Sequence, residues 1–315
     1  MSEVVLRTEG LTKSYGTLKA VDHLTLEINK GEIFGFLGPN GAGKTTSIHM
    51  MCGLLRPDAG RVLVHGMPVA SGGAGIRACI GVCPQEIVLW ERLTCIEQLQ
   101  FMGEMYGVRG SEARRRGDLL LEEFDLVEKR SKQVRTLSGG LQRRLNLAMA
   151  LIHDPDIVFL DEPEVGLDPQ SRVKIREYIL SLAGHKTIIL TTHNMDEADR
   201  VAERVAIIDH GKLLVLDTPE VLKKSVGVGS VVEIQLTGGE RLNNRACEAL
   251  AELKKGASVE VVDGSLNVRA RNVVALLPEI LKRVTEAGLA YGEVRVRENT
   301  LEDVFIHLTG RRLRS

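Results

Sequence analysis

Residues 38–46, GPNGAGKTT, follow the apolar stretch IFGFL (33–37) and precede a helix-like run from Thr45 to Leu55. They fit G-x-x-x-x-G-K-[ST] as Gly38, Gly43, Lys44 and Thr45, in the strand–loop–helix setting that this phosphate motif requires. The glycines permit a tight loop whose backbone N–H groups point inward, a nest for phosphate oxygens reinforced by the positive end of the next helix. In such a loop Gly38, Pro39, Asn40, Gly41, Ala42 and Gly43 form the cradle and Lys44 reaches the β- and γ-phosphates. Thr45 is placed to ligate Mg²⁺, and Thr46 to bond a further phosphate oxygen. The stretch predicts a bound nucleotide without saying what work is done with it.

The chain has 315 residues, which suggests about two domains, and its 43% apolar and 26% charged residues suit a soluble globular protein. Lys+Arg 41 against Asp+Glu 42 gives a net charge of -1, so bulk electrostatics offer no case for nucleic acid, and none is expected as a direct partner. The basic clusters Arg114–Arg115–Arg116 and Arg311–Arg312 with Arg314 read as solvated surface. Five cysteines, Cys52, Cys79, Cys83, Cys95 and Cys247, form no spacing typical of a metal or disulfide framework and read as reduced thiols. MSEVVLRTEG has no basic segment leading into an apolar core, and nowhere do about eighteen apolar residues run together. The expectation is a cytoplasmic chain that does not itself cross a membrane.

From Val4 to about Leu222, strand-like runs alternate with amphipathic helical patterns, the sequence form of an α/β fold with a largely parallel sheet. The clearest buried strands are 33–37, 157–160, 187–190 and 205–208, short apolar runs that suit strands covered on both faces. Helices are expected at 45–55, 95–106, 112–124, 139–152, 170–183 and 195–202. Glycine and serine in SVGVGS (225–230) break the periodicity and mark a linker. The domains expected are therefore 1–225, with a helical subdomain at about 86–153, and 226–315. In the second, strands at 231–236, 258–263, 266–270 and 293–298 with helices at 243–254 and 273–286 spell β-α-β-β-α-β, a small α+β, ferredoxin-like unit, before a last helix at 301–308.

DIVFLDEP (156–163) puts Asp161 and Glu162 at the carboxyl end of a buried strand, the edge where ligands sit in an open α/β sheet. Asp161 suits a Mg²⁺ shell, and Glu162 suits a hydrogen bond from an attacking water. LSGGLQRR (137–144) opens a helix with Ser138, Gly139 and Gly140. Ser138 could cap that helix, and the glycines would let its first amides approach a phosphate.

Taken together, these motifs resemble the ATP-binding subunit of an ABC transporter. They stand in that family's order: Tyr15 in KSYG, the Walker A loop, Gln85 in CPQE, the signature LSGG, Asp161–Glu162 closing Walker B, Asp168 in the D-loop GLDP, and His193 in TTHN. The resemblance implies that two such chains meet head to tail as a homodimer, each ATP lying between Walker A of one and LSGG of the other. Ser138, Gly139 and Gly140 would then act on the partner's nucleotide. It also implies that Tyr15 stacks on adenine, Gln85 senses Mg²⁺ and the attacking water, and His193 contacts the γ-phosphate.

LQRRLNLAMALIHDP, VGLDPQSR and the tail ENTLEDVFIHLTGRRLR (298–314) are similar to the daunorubicin-resistance group of exporters. There a separate integral-membrane permease supplies the spanning helices, and the ATPase sits peripherally on the inner face of the cell membrane. The segment EIVLW (86–90), with the chain's one tryptophan, is then expected to touch the permease.

One position departs from the pattern. Glu164 stands where the family usually has Thr or Ser. It would either add negative charge near the γ-phosphate or point to solvent. Two further readings are a soluble ABC-type ATPase switching on ribosomes or DNA and an importer ATPase. The first usually has two cassettes or a long coiled-coil insertion, and this chain shows neither. By fold analogy, the C-terminal unit could also sense a small molecule.

Overall fold

The computed structural model describes residues 3–226, 230–237, 249–250, 257–262, 265–270 and 273–310. It divides into two units, Met1–Asp217 and Thr218–Ser315. The first contains a six-stranded sheet in the order β10-β9-β3-β8-β7-β6, where β3 is Ile33–Leu37, β6 Ile80–Cys83, β7 Ile157–Asp161, β8 Thr187–Thr192, β9 Arg204–Asp209 and β10 Lys212–Asp217. All neighbours are parallel except the β9–β10 hairpin.

The continuous apolar runs exist because both faces are covered. On β7, Val158 and Leu160 enter one core with the helices α3 (Cys95–Met105), α4 (Gly110–Glu123), α5 (Gly139–Leu151) and α6 (Pro169–Ser181), while Ile157 and Phe159 enter the other. That second core lies against α1 (Lys44–Met51) and a four-stranded antiparallel sheet, β2-β1-β4-β5. Its strands are β1 Val4–Tyr15, β2 Leu18–Asn29, β4 Ala59–Val64 and β5 Met67–Pro68. The antiparallel sheet is an addition to the sequence reading. On β1 the buried residues include Val5, Leu6, Thr8, Leu11 and Thr12, and register shifts against β2 interrupt the period of two that would have betrayed the strand.

Each expected helix of this unit is present within a few residues. The first stops at Met51 rather than Leu55 because Gly53, at φ 78, takes the left-handed conformation that ends a helix. Two short helices were not expected, α2 (Gly73–Ala78) and, beyond the last strand, α8 (Pro219–Ser225); α7 is Met195–Val201. Thr94 and Glu97 form a reciprocal capping box on α3. Asp168 caps α6 with Pro169 at its first position. Arg115 and Arg116 of the basic run both pair with Glu112 on their own helix.

The second unit is an antiparallel sheet in the order β12-β13-β11-β14, with β11 Ser230–Thr237, β12 Ala257–Val262, β13 Ser265–Ala270 and β14 Ala290–Arg297. The first and third strands are central, as in a ferredoxin-like unit. Helix Val273–Glu286 covers one face through Val273, Ile280 and Val284. The helix expected at 243–254 lies almost wholly outside the described residues, as do Cys247 and Arg311–Arg314. The proposed linker at 225–230 falls inside this unit, because α8 packs on the final helix, Leu301–Thr309, and Asn299 donates to the Lys223 carbonyl at 3.2 Å.

Candidate active site

Three neighbouring strands end at one level and carry the site. Leu37 of β3 is in register with Thr192 of β8, and Asp161 of β7 with Thr191 of β8. The chain after β3 makes the loop 38–43. Gly43, at φ 102, opens α1 with no side-chain cap, so the first amides of the helix face the loop without a protein acceptor from that position. A Cβ on Gly43 would stand 2.2 Å from the Ala20 carbonyl oxygen, so that position is closed to any other residue. Thr45 and Thr46 follow on α1, both half-buried.

Lys44 is buried, and its Nζ donates to the Gly38 carbonyl at 2.8 Å and the Pro39 carbonyl at 3.2 Å. Glu162 Oε1 lies 3.4 Å from the same nitrogen. Burial pushes the lysine's pKa down, while the Glu162 carboxylate opposes that shift. The other oxygen of Glu162, Oε2, meets His193 Nδ1 at 2.7 Å. Lys44, Glu162 and His193, from three different strand ends, thus form one connected chain.

Asp161 and Glu162 are both held by Thr191. Its hydroxyl donates to Asp161 Oδ1 and accepts the Glu162 N–H at 3.0 Å, which uses the hydroxyl once in each sense. The second oxygen of Asp161, Oδ2, is buried and has no hydrogen-bond partner. Glu162 itself has φ 50, a left-handed backbone that a residue other than glycine rarely adopts. Thr191 went unremarked in the sequence, although TTHN places it two residues before His193.

The remaining expected residues are placed as follows. Gln85 is exposed just after β6. Tyr15 is 52% exposed at the end of β1, with Lys13 Nζ 5.9 Å from its ring centre. Ser138 stands at the N-cap of α5 but its side chain makes no capping bond, so the capping role expected of it is not realised, and the hydroxyl is exposed. Gly139 and Gly140 open the helix, and a Cβ on Gly140 would lie 3.2 Å from Ser171 Oγ. Asp168 accepts from the Gln170 and Ser171 amides and from the Ser171 hydroxyl, which together hold its pKa down.

Glu164 does not simply face solvent, and it lines one cavity with Glu162 and His193. It is half-buried, with Oε2 buried and unpartnered, and it faces Glu197 of α7, which is itself paired with Arg176 of α6 at 2.6 Å. Burial first, and then the Glu197 charge, push its pKa from 4.5 up to about 7. Cys79 groups with His65 and Asp156, their donor atoms within 4.8 Å of one another, a trio that cysteine spacing could not reveal. It lies where β6 and β7 begin, at the end of the strands away from Lys44 and Glu162.

A phosphate loop between strand and helix, a buried lysine, and an acidic pair at the end of β7, two places from β3 in the sheet, define a P-loop nucleotide-binding protein. The sequence profile of the ABC transporter family matches residues 21–165. A daunorubicin resistance ATP-binding protein of Streptomyces coeruleorubidus is 38% identical over 311 residues, 98% of this chain and 97% of the relative. A Nod factor export ATP-binding protein I of Ralstonia nicotianae is 39% identical over 318 residues, 99% of this chain and 96% of the relative. Among solved structures, an ATP-binding subunit of an ABC transporter superposes with a TM-score of 0.65 at 28% identity, covering 70% of this chain and 92% of the other. A dimeric ATP-binding cassette in a post-hydrolysis state with ADP and Pi gives 0.63 at 25% identity, covering 68% and 98%. The chain belongs to the ABC transporter family as an ATP-binding protein, and it is an ATPase.

Proposed function

We propose that this chain hydrolyses ATP to power export of a small molecule through a separate membrane-spanning subunit. The observation that carries the reading is the match, over nearly the whole chain and both units, to ATP-binding proteins of drug resistance and Nod factor export. No helix among the described residues is long and apolar enough to cross a membrane, which agrees with a permease on another polypeptide. The chain would then work at the inner face of the membrane through that partner.

Two copies would meet head to tail, so that Ser138, Gly139 and Gly140 of one close on nucleotide held by the other. The exposed hydroxyl of Ser138, which makes no capping bond to its own helix, supports this. In each cradle the amides of 38–46 hold phosphate oxygens, Lys44 moves from the loop carbonyls to the phosphates, and Thr46 bonds a further oxygen. Tyr15 stacks on adenine, and Asp168 belongs to the contact between copies.

The donor set also suits magnesium. A buried carboxylate oxygen without a partner, as Asp161 Oδ2 is, carries a desolvation cost that a cation removes, and the Thr45 hydroxyl is a hard oxygen donor of the right type. Magnesium bound by Thr45, Asp161 and Gln85 would neutralise charge developing on the phosphates. Glu162 orients the attacking water and takes its proton, and His193 steadies the γ-phosphate.

Co-expression with candidate polytopic membrane proteins, purification in detergent and an ATPase assay in lipid vesicles test the reading. A stoichiometric complex whose ATPase exceeds that of the isolated chain is expected. Co-sedimentation with ribosomes or DNA, with no membrane protein bound, would overturn it.

A further inference from the structure

Arg143 is among the largest fully buried side chains of the molecule, 2% exposed, and lies on α5 five residues beyond Ser138. A guanidinium has five N–H donors in a rigid fork. All five are used, each on a backbone carbonyl. Nη1 donates to Pro84 O at 2.6 Å and Gln85 O at 3.0 Å, Nη2 to Asp161 O and Glu162 O at 2.9 Å each, and Nε to Pro163 O at 3.1 Å.

Those carbonyls belong to the two segments that carry Gln85 and the Asp161–Glu162 pair. The parallel ladder between β6 and β7 ends at Cys83 opposite Leu160. Beyond that point β6 and β7 no longer pair with each other, although Asp161 stays in register with Thr191 of β8 and the Glu162 carbonyl also accepts from the Val165 N–H at 3.2 Å. Arg143 enters the fork between β6 and β7 and substitutes for the missing ladder. No carboxylate lies within ion-pair distance of it among the described residues, so its charge is set against carbonyl dipoles alone. An arginine held by a carboxylate would serve an ion pair. This one is spent on fixing backbone.

We propose that Arg143 is a positioning residue for the ATPase, locking the backbone of Gln85 and Glu162 to the helix that begins at Ser138, so that the three move as one body. The inference rests on the roles given above to Gln85 and Glu162. A shift of α5, wherever it originates, is then passed to the acid that handles the attacking water without any contact between Ser138 and Glu162 in the same chain. Lysine at this position keeps the charge but has three donors in place of five and no planar fork, and glutamine has two. Either should loosen both segments while leaving Lys44 and the phosphate loop intact.

The test uses the full chain with Arg143→Lys and Arg143→Gln, each alone and combined with Glu162→Gln. Three quantities are read: affinity for a non-hydrolysable ATP analogue, kcat, and the thermal midpoint, which establishes that the protein is folded at the assay temperature. Analogue affinity within about threefold of the parent and kcat lower by roughly 10- to 100-fold are expected, the scale of losing reactant alignment. If Arg143 acts through Glu162, the double variant falls little below Glu162→Gln alone, because residues acting as a unit do not multiply. Losses that multiply, affinity that falls in step with kcat, parental kcat in both single variants, or failure of both to fold would each overturn a positioning role. A failure of the Glu162 reading would show separately, as a Glu162→Gln single variant with parental turnover.

Discussion

Lys44 and Glu162 hold each other across the strand ends, Nζ to Oε1 at 3.4 Å, while the second oxygen of the carboxylate is taken by His193. Both groups proposed to act on ATP are therefore engaged before it arrives. A carboxylate shared between an ammonium and an imidazole is a poor acceptor for a water proton. On the roles proposed above, phosphates that drew Lys44 away would release Glu162 Oε1 in the same movement, leaving Oε2 with His193.

Glu162→Gln removes the charge and keeps the size, so binding and turnover should separate. ATP is expected to bind at least as well as to the parent, since Lys44 loses a competing anion. Turnover should fall by at least about a hundredfold, the lower range for losing general-base help. In ATP and Mg²⁺ this variant should accumulate as a dimer on size-exclusion chromatography. Adding Ser138→Arg should abolish the dimer, and a dimer indifferent to that change would remove the case for a site shared between two chains.

Thr191→Val keeps the shape of a fully buried side chain and deletes the hydroxyl that bridges Asp161 and the Glu162 amide. Leaving those buried groups unpaired should cost about 1–3 kcal/mol. Urea unfolding would measure it. Lower turnover at sub-saturating Mg²⁺ should accompany the loss.

Glu164 gives stability a pH dependence of defined sign. The unfolded chain releases this proton near 4.5 and the folded chain only near 7. Between those values the folded state binds more protons, so the contribution is most favourable below 4.5 and is lost as pH rises to about 7. Because Glu197 faces it, the proton belongs to the pair. Glu164→Gln should match the parent near pH 4.5 and exceed it at pH 8 by about 1 kcal/mol, a figure reduced for partial solvent exposure, or roughly 2–4 °C in a thermal melt. Equal melting points at pH 8 would show that the carboxylate reaches water.

Trp90 stands edge-on to Phe101 with ring centres 4.9 Å apart; both are exposed, as are Val88, two residues before Trp90, and Met105, one turn beyond Phe101 on α3. A cluster of this kind suits a protein partner. Trp90→Ala should weaken association with the membrane subunit in a pull-down while nucleotide affinity stays nearly unchanged. Intact assembly would count against it.

A chain ending at Asp217 should fold and bind ATP, because the strands and loops of the site lie before that residue. Loss of assembly or of its regulation is the expected defect. Absence of ATP binding would mean that the first unit depends on the second.

The parallel strands were legible because both faces of β7 and β8 are covered, which writes a run of apolar residues without alternation. Lys44 and the acidic pair were legible because phosphate chemistry tolerates few residue types at those spacings. Thr191 and Arg143 were not singled out, since their partners are distant in sequence and, for Arg143, are backbone atoms with no residue identity to recognise. A faint signal existed. Arg143 sits on the same helical face as Asn146, Leu147 and Ala150, all buried, where a charged residue needs an explanation. The environment of Glu164 was not legible because its charged neighbours Arg172, Arg176 and Glu197 come from α6 and α7, which no local spacing places beside it.

The common level of the three strand ends has a consequence in time. Leu37 with Thr192, and Asp161 with Thr191, are ladder partners in the middle of the sheet. The spacing between Lys44 and Glu162 is thus set by the ends of paired strands within the sheet rather than by a long loop. Fraying of a loop costs such a site little, and losing it requires the sheet itself to come apart. On heating, the proposed catalytic centre should last as long as the core does, with activity and amide protection of Asp161 and Thr191 disappearing on the same clock.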